Sequence, residues 1–248
     1  MFAVFGNARG VGAVEQQTKQ TRPVALVTGG ARGIGAAIAA HLADHFDVAV
    51  TWNRTAPALG VTAFEADLTQ PGSCTRVIGG VIEKFGRLDV IVNNAGLVAN
   101  GAVEVVDPAT NGQMFALNAE VPARLLAAAL PQLKPGASVV SLSSTNAECP
   151  QETAVMYGAS KAALNAWTKG TAKALGPRGI RVNAVAPGAV NVPDAARPRD
   201  DVARYASQIA LGRMGTPEDI AKVVGFLASD AAGYITGEVI TVSGGWRL

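Results

Sequence analysis

A tyrosine and a lysine stand four residues apart in the sequence Tyr157-Gly-Ala-Ser-Lys161, at the start of a pattern typical of a long helix. This spacing places both side chains on one helix face. A phenol titrates near ~10, but a neighbouring cation stabilises the phenolate and lowers the pKa. The pair is therefore a candidate general acid. Ser144 follows the predicted strand Ser138–Leu142, and we expect it at the carboxyl edge where doubly wound sheets bind ligands.

A glycine-rich turn, Thr28-Gly29-Gly30-Ala31-Arg32-Gly33-Ile34-Gly35, lies between a predicted strand and a predicted helix. Gly29 would allow a sharp turn, Gly33 would let the backbone approach a pyrophosphate, and Gly35 would let helix and strand pack closely. The helix start adds unpaired N–H groups and the positive end of a dipole. The strand–turn–helix context supports the interpretation of this pattern as a phosphate site.

A near-copy of this pattern, Val4 to Ala13, precedes it in the chain. The residues that follow, Val14–Pro23, are largely polar and carry no apolar helical face that could pack on a sheet. The near-copy is either another phosphate loop or a non-functional extension, and we favour the extension. We expect residues 1–20 to be poorly ordered and residues 21–248 to form the dinucleotide-binding domain.

The end of the second predicted strand indicates which dinucleotide the site prefers. An acid there binds the ribose 2′-hydroxyl of NAD, whereas a basic residue accommodates the 2′-phosphate of NADP. The strand ends in Thr51-Trp52-Asn53-Arg54, with no acid. Arg54 and Arg32 can both reach this corner, and guanidinium groups suit a phosphate. We favour NADPH, with NAD possible if both arginines are merely solvated surface charges.

Short β-branched runs alternate with longer alanine-rich stretches along the chain. Continuous apolar strands indicate a parallel sheet covered by helices on both faces. The fold class is therefore α/β, a doubly wound parallel sheet of about seven strands (a Rossmann fold) in a single domain. The predicted strands are Val24–Thr28, Val48–Trp52, Val61–Ala66, Asp89–Val92, Ser138–Leu142, Arg181–Val185 and Val239–Val242. The predicted helices are Ile34–His45, Gly72–Phe85, Pro108–Leu130, Ala154–Leu175, Asp201–Leu211 and Pro217–Ala228. The link Asn53–Gly60 is too short for a helix.

Composition excludes several classes of protein. The chain has 248 residues, a net charge of +2 and two cysteines. Near-neutral charge argues against a nucleic-acid binder, and two cysteines argue against a disulfide framework. No apolar run reaches the ~18 residues of a membrane span, and the start lacks a secretory h-region. We expect a cytoplasmic protein with no membrane or nucleic-acid partner. His41 and His45 have a zinc-site spacing without an evident third ligand, so we predict no metal.

Taken in order, these motifs resemble the short-chain dehydrogenase/reductase family, in its single-domain branch of about 250 residues. The resemblance covers nearly the whole chain, from about Pro23 to Gly245. It rests on the glycine turn, Ser144, Tyr157 and Lys161 already described. It rests further on Asp67-Leu68-Thr69, Asn93-Asn94-Ala95-Gly96, Asn118, Pro187-Gly188 and Gly233-Tyr-Ile-Thr-Gly237…Val242-Ser-Gly-Gly245.

The resemblance implies a role for each matched position. Tyr157 would donate a proton to a carbonyl oxygen, which Ser144 would polarise. Lys161 would hold the nicotinamide ribose and lower the pKa of Tyr157, and Asn118 would anchor a water that relays protons to Lys161. Asp67 would bind the adenine amino group, with Leu68 nearby. The implied cofactor-binding set is Gly29, Arg32, Gly33, Ile34, Gly35, Asn53, Arg54, Asp67, Leu68, Asn94, Ala95, Gly96, Tyr157, Lys161, Pro187, Gly188 and Val190.

Two departures from the family pattern bear on function. Val192 stands where the family usually has a threonine that bonds the carboxamide, so Asn191 or backbone groups would have to substitute. The family usually has a helix between the second and third strands, and it is absent here. The pattern Val48-Ala-Val-Thr-Trp-Asn-Arg54 with this shortened link is most similar to that of bacterial 3-oxoacyl-acyl-carrier-protein reductases. The segment Ala189–Leu211 would cover a small-molecule carbonyl or alcohol substrate, and the family commonly forms homo-oligomers. The alternatives are an NAD-dependent alcohol or sugar dehydrogenase and a non-catalytic dinucleotide sensor.

Overall fold

The computed structural model describes residues 22–57, 60–101, 103–104 and 106–246. Seven strands form one sheet in the order β3-β2-β1-β4-β5-β6-β7, and every neighbouring pair is parallel. This architecture confirms the predicted Rossmann fold. The strands are β1 Val24–Val27, β2 Asp47–Trp52, β3 Thr62–Glu65, β4 Val90–Asn93, β5 Ser138–Leu142, β6 Arg181–Pro187 and β7 Val239–Val242.

Seven α-helices connect these strands within the described residues. They are α1 Gly33–Leu42, α2 Ser73–Phe85, α3 Pro108–Phe115, α4 Val121–Ala129, α5 Val155–Leu175, α6 Arg199–Ala206 and α7 Pro217–Ala228. One apolar layer joins one face of the sheet to α2, α4 and the end of α5. A second joins the other face to α1 and α7. Because helices cover both faces, β1, β4 and β5 are buried along their whole length, which explains their continuous apolar sequences.

Helix starts follow the local sequence. Thr216 begins α7 with a reciprocal capping box, in which its hydroxyl accepts from the Asp219 amide and the Asp219 carboxylate accepts from the Thr216 amide. Pro217 occupies the first helical position, as predicted. Asp107 caps α3 with a single bond of this kind, in which its carboxylate accepts from the amide of Ala109. These bonds satisfy N–H groups that have no partner inside a helix.

The predicted continuous helix Pro108–Leu130 is wrong in its middle. A π-helical turn, Ala116–Glu120, separates α3 from α4, and the amide of Val121 bonds five residues back to the carbonyl of Ala116. Pro122 gives the physical reason. Proline has no N–H, so Pro122 cannot donate to the carbonyl of Asn118 four residues earlier, as an α-helix requires. Apolar periodicity does not register this local change of pitch, because the same residues stay buried.

The predicted helix Asp201–Leu211 is also misplaced, because α6 begins at Arg199 and ends at Ala206. Ile209 forms an isolated bridge with Trp246, and the amide of Leu211 donates to the carbonyl of Gly244. These contacts with the chain end replace the last helical turns. Ile209, Met214 and Trp246 form a small apolar cluster that anchors this region.

The link between β2 and β3 contains no helix in its described residues, 53–57 and 60–61, as predicted. Residues 1–20, with the near-copy of the glycine turn, lie outside the described residues. Within the described ranges, no helix is long and apolar enough to cross a membrane.

Candidate active site

The glycine turn lies at the centre of the sheet, where the strand order reverses. β1 pairs with β2 on one side and with β4 on the other, so chain connections leave in opposite directions and open a crevice at the carboxyl ends. Gly29 and Gly33 both adopt positive φ, at +63° and +57°. A side chain at Gly35 would overlap the carbonyl oxygen of Gly29 and the side-chain nitrogen of Asn94. All three glycines are thus required by the tight path of this turn.

Neighbouring strands hold the turn in place. The side-chain amide (Nδ2) of Asn94 donates to the carbonyls of Thr28 and Gly29 at 2.9 and 3.0 Å. The hydroxyl of Thr28 accepts from the main-chain amides of Asn94 and Ala95, both at 3.0 Å. The hydroxyl of Thr51 accepts a hydrogen bond from the Gly29 amide at 3.1 Å. The Asn94 side chain, predicted to line the ribose, therefore also holds the phosphate turn.

Two residues that position this turn are absent from the predicted site. Thr28 and Thr51 supply the hydroxyls just described, and their place at strand ends is the only sequence signal that could have indicated them. Gly30 also has a packing role, since a Cβ there would lie 2.6 Å from a methyl carbon of Val50. Both threonines are buried, at 1% and 2% exposure.

The predicted adenine end lies beyond β3. Asp67 accepts from the amide and hydroxyl of Thr69, at 3.0 and 2.6 Å, and from the side chain of Gln70 at 3.2 Å. The hydrogen bonds from Thr69, together with those of Gln70 and the charge of Arg54, hold the pKa of this carboxyl below its usual value. Leu68 is buried beside it. Arg54 is thus close to the predicted adenine site, and Arg54 and Asn53 are exposed at the end of β2.

Ser144 and Tyr157 come together at the carboxyl edge of β5. Burial raises the pKa of the Tyr157 phenol, and a hydrogen bond with the Ser144 side chain opposes this in part. The Ser144 hydroxyl also accepts from the amide of Asn146 at 3.1 Å, which fixes its position at the start of a 3₁₀ turn. The phenol is consequently protonated at neutral pH. The predicted lowering of this pKa by Lys161 is therefore not found, because desolvation is the largest influence on the phenol.

Lys161 lies beneath the tyrosine on the same face of α5. Its Nζ is 5.9 Å from the centre of the Tyr157 ring and donates to the carbonyl of Leu142 at 2.6 Å. Only 5% of the residue is exposed. Burial disfavours the charged ammonium and lowers its pKa from 10.5 to about 8. Most Lys161 side chains are still charged at pH 7.

Asn118 is buried in the π-helical turn and its side chain is fully engaged. Its Oδ1 accepts from the amide of Leu97 at 2.8 Å, and its Nδ2 donates to the Leu97 carbonyl and to the hydroxyl of Ser160, at 2.9 and 3.0 Å. Ser160 in turn donates to the carbonyl of Tyr157 at 2.7 Å. A Cβ on Gly96 would lie 3.1 Å from the Asn118 side chain. The side chain therefore joins the segment after β4 to α5.

The predicted nicotinamide contacts follow β6. Pro187 ends this strand, and the amide of Gly188 donates to the carbonyl of Val242 at 3.0 Å. A Cβ on Gly188 would lie 2.7 Å from that of Ser243. Val190 forms a bridge with Gly215. The side chain of Asn191, a predicted substitute for the missing threonine, instead accepts from the amide of Arg197.

The segment 189–206 reaches back across the site to the glycine turn. It contains the 3₁₀ turn Pro193–Ala195, and Asp194 Oδ2 accepts from the Gly33 amide at 3.0 Å. The side chain of Val192 lies beside Gly33, 3.2 Å from where a Cβ would stand. The sequence marks Asp194 only as one charge among several in this segment.

These features fit a dinucleotide. Helix α1 has no acid in its first turn and no side-chain cap from Arg32, so its first amides depend on acceptors from outside the helix. The Asp194 carboxylate on Gly33 shows that an anionic group is accepted there. Gly29, Gly33, Ile34 and Gly35 would hold the pyrophosphate, and Arg32 would lie beside them at the start of α1. Among the described residues, no three His, Cys, Asp or Glu side chains lie close enough to hold a metal ion.

A doubly wound sheet with a phosphate turn and a buried tyrosine–lysine pair defines a class of dinucleotide-dependent oxidoreductases. Residues 29–247 match the family model described as enoyl-(acyl carrier protein) reductase. An uncharacterized oxidoreductase of Methylorubrum extorquens is 38% identical over 241 residues, covering 90% of this chain and 97% of the relative. A 2,5-dichloro-2,5-cyclohexadiene-1,4-diol dehydrogenase of Sphingobium indicum is 36% identical, covering 91% of this chain and 96% of the relative.

A solved short-chain dehydrogenase of Burkholderia cenocepacia, in complex with NADP, superposes with a TM-score of 0.85. It is 35% identical, and the match covers 91% of this chain and 98% of that one. The chain therefore belongs to the short-chain dehydrogenase/reductase family. It is an oxidoreductase that acts on CH–OH or C=O groups of a small molecule with a nicotinamide dinucleotide.

Proposed function

We propose that this protein is an NADPH-dependent reductase that converts a ketone or 3-oxoacyl carbonyl to an alcohol. The observation that carries the proposal is the Tyr157 phenol, which meets the Ser144 hydroxyl while burial raises its pKa. A phenol that stays protonated at neutral pH can donate a proton to a carbonyl oxygen, which is the proton transfer that reduction requires. The same tyrosine takes that proton back in the oxidative direction, so reduction is favoured here by the preference for NADPH.

The residues of the site divide the work of carbonyl reduction. A reduced nicotinamide, when bound, supplies the hydride that the carbonyl carbon accepts. Ser144 donates a hydrogen bond to the carbonyl oxygen and holds the carbonyl beside Tyr157. As negative charge develops on that oxygen, the phenol of Tyr157 transfers its proton there and becomes a phenolate. The charged ammonium of Lys161 stabilises this phenolate, although burial makes the ammonium a stronger acid than an exposed lysine.

Proton return to Tyr157 requires a route from solvent. The Asn118 side chain is occupied by Leu97 and Ser160, so we place the relay water on the main-chain carbonyl of Asn118 instead. Pro122 removes the N–H that would bond this carbonyl in an α-helix, and π-helical turns are frequent at functional sites. The relay would then run from this water to Lys161 and on to Tyr157.

Apolar side chains near the tyrosine favour an apolar substrate. Val155 and Met156 directly precede Tyr157 and are 42% and 40% exposed, and Val98 follows β4 with 61% exposure. The amide of Gly101 donates to the carbonyl of Thr153, which ties the segment after β4 to the start of α5. A ketone with an apolar substituent would cover these residues, whereas a sugar would leave their apolar surface in contact with its hydroxyls.

Two exposed arginines support the preference for NADPH. Arg54 is close enough to Asp67 to lower the pKa of that carboxyl, and Arg32 immediately precedes α1. We therefore propose that their guanidinium groups bind the 2′-phosphate from two sides. The bound NADP of the Burkholderia cenocepacia protein agrees with this preference.

The test is a panel of ketones, keto-esters and 3-oxoacyl thioesters, with oxidation of NADPH and NADH followed by absorbance. We expect kcat/KM with NADPH to exceed that with NADH by at least about tenfold, since two phosphate contacts are at stake. The double variant Arg32→Ala/Arg54→Ala should lose this preference, mainly through KM for NADPH. Arg76→Ala, a variant of another exposed arginine, is the control. A strong NADH preference would support the NAD-dependent dehydrogenase instead, and cofactor binding without any turnover would support a sensor.

We also propose that the chain forms a homo-oligomer. Tyr234 is fully exposed between α7 and β7, and Phe226 on α7 is 42% exposed. Large apolar side chains in such positions are typical of contacts between subunits. Light scattering coupled to gel filtration should give a dimer or tetramer, and a monomer at micromolar concentration would contradict this.

A further inference from the structure

The N-terminus of α1 already holds an anionic group, although no acid stands in its own first turn. Asp194 Oδ2 accepts the hydrogen bond of the Gly33 amide at 3.0 Å, from a residue 161 positions away in the chain. The helix offers no side-chain cap from Arg32. A carboxylate at this end of a helix is stabilised by the dipole and by the unpaired amides. Asp194 therefore meets the requirement that a phosphate would meet.

Two anions cannot share one amide. The pyrophosphate of a dinucleotide, bound as in the proposed function, would need the Gly33 amide, and its negative charge would repel the carboxylate at close range. The side chain of Val192 also lies beside Gly33, 3.2 Å from where a Cβ would stand. Binding of a dinucleotide must then break the hydrogen bond between Asp194 and the Gly33 amide.

We infer that Asp194 holds the segment 192–198 closed on the phosphate turn and competes with the cofactor pyrophosphate for the amide of Gly33. This inference rests on the proposed function. The carboxylate lowers the affinity of the protein for dinucleotides, because only the fraction of molecules with this contact broken can bind. It also couples arrival of the cofactor to movement of the segment that covers the substrate.

The structure provides room for this movement. A cavity of about 420 Å³ lies behind the segment, between Asn191, Pro193 and Val202 on one side and residues 212–218 on the other. The chain is anchored on both sides of the segment 192–198. Val190 pairs with Gly215 at one end, and Tyr205 packs edge-on against Trp246 at the other, with ring centres 6.0 Å apart. Movement is thus confined to the residues between these anchors, which include Asp194.

The first test measures dinucleotide affinity by calorimetry. Asp194→Asn removes the charge and keeps the shape, and we expect its Kd for NADP⁺ to fall about fivefold, since an anion at a helix start contributes on this scale. The ligand 2′-AMP carries the adenine and the 2′-phosphate without a pyrophosphate, so its Kd should not change. Asp200→Asn is the matched control, because Asp200 is an exposed acid that lies just after this segment, on α6.

The second test needs no cofactor. Ala195 and Ala196 are exposed and lie within the segment 192–198, where elastase, which cleaves after small residues, can cut. Cleavage of the ligand-free protein there should be several-fold faster in Asp194→Asn than in wild type or Asp200→Asn, since local opening controls proteolysis. Equal cleavage rates in the three proteins would contradict the closed contact.

The outcomes separate this inference from the proposed function. Wild-type protein that binds NADP⁺ as tightly as Asp194→Asn overturns the competition and leaves the proposed function intact. An equal gain in affinity for 2′-AMP also overturns it, because the effect would then be one of general charge. Wild-type protein that binds no dinucleotide overturns the proposed function and, with it, this inference.

Discussion

Burial sets the direction in which the pKa values of Tyr157 and Lys161 are shifted at this site. Tyr157 and Lys161 are recognisable from their spacing, but the direction of each pKa shift comes from desolvation. Burial opposes the phenolate of Tyr157 and the ammonium of Lys161 alike, so each residue is pushed toward its neutral form. The sequence predicted a tyrosine with a lowered pKa, because it shows the neighbouring cation and not the protein packed around it.

The lowered pKa of Lys161 predicts the pH dependence of the free protein. Lys161 is charged below about 8 and neutral above it. If the charged form stabilises the phenolate of Tyr157, kcat/KM for NADPH in the reductive direction should be level near pH 7 and decline as pH rises through about 8. The measurement is kcat/KM between pH 6 and 10, which reports groups of the free enzyme. A profile that stays level to pH 10 would show that the charge of Lys161 is not used.

Helices and strands were predictable where a single rule governs them. Buried parallel strands and the capping box of Thr216 follow from hydrophobic runs and cap residues, and the structure places them within a residue or two. The π-helical turn at Asn118 and the short α6 were not predictable by the same rules. The first depends on the missing N–H of Pro122, and the second on bridges from Ile209 and Leu211 to a distant chain end.

The π-helical turn gives a prediction at the level of this element. Pro122→Ala restores an N–H four residues after Asn118, where it can donate to the Asn118 carbonyl and displace a relay water. We expect kcat to fall roughly tenfold, a modest part of what general acid–base catalysis supplies, while KM for NADPH changes little. The free energy of unfolding should stay constant or rise, because proline is unfavourable inside a helix.

Pro108→Ala is the matched control, since Pro108 lies at the first position of α3, where its missing N–H is not needed. It should leave kcat unchanged. Solvent isotope effects on both variants would show whether proton return has become limiting in Pro122→Ala. An unchanged kcat in Pro122→Ala would remove the main-chain carbonyl of Asn118 from the relay.

One sheet carries the whole site at the scale of the molecule. The glycine turn follows β1, Asn94 follows β4, Ser144 follows β5 and the covering segment follows β6, so parallel strands bring distant residues to one edge. This convergence was predictable, because the alternation of strands and helices indicates parallel strands, whose carboxyl ends lie at one edge of the sheet. The contact between Asp194 and Gly33 was not, because it depends on the path of a segment without regular pairing.

The contacts at the start of the described residues predict the effect of a truncation. Arg22 donates to the carbonyls of Ala43 and Phe46, at 2.6 and 3.2 Å, and β1 begins at Val24. Deletion of residues 1–20 keeps these contacts, so we expect Tm to change by less than about 2 °C, the shift of a fraction of a kcal/mol. The Kd for NADPH should also be unchanged. A large fall in Tm would give the upstream glycine pattern a structural role.

The central claim is that Tyr157 donates the proton in carbonyl reduction while the rest of the site binds the cofactor. The most direct measurement compares Tyr157→Phe with wild type, by calorimetry for NADPH and by turnover on a ketone that the wild type reduces. The account predicts a Kd within about threefold of wild type and a kcat lower by at least ~100-fold, the scale of general acid catalysis. Turnover by Tyr157→Phe at the wild-type rate, with NADPH bound equally well, would contradict it.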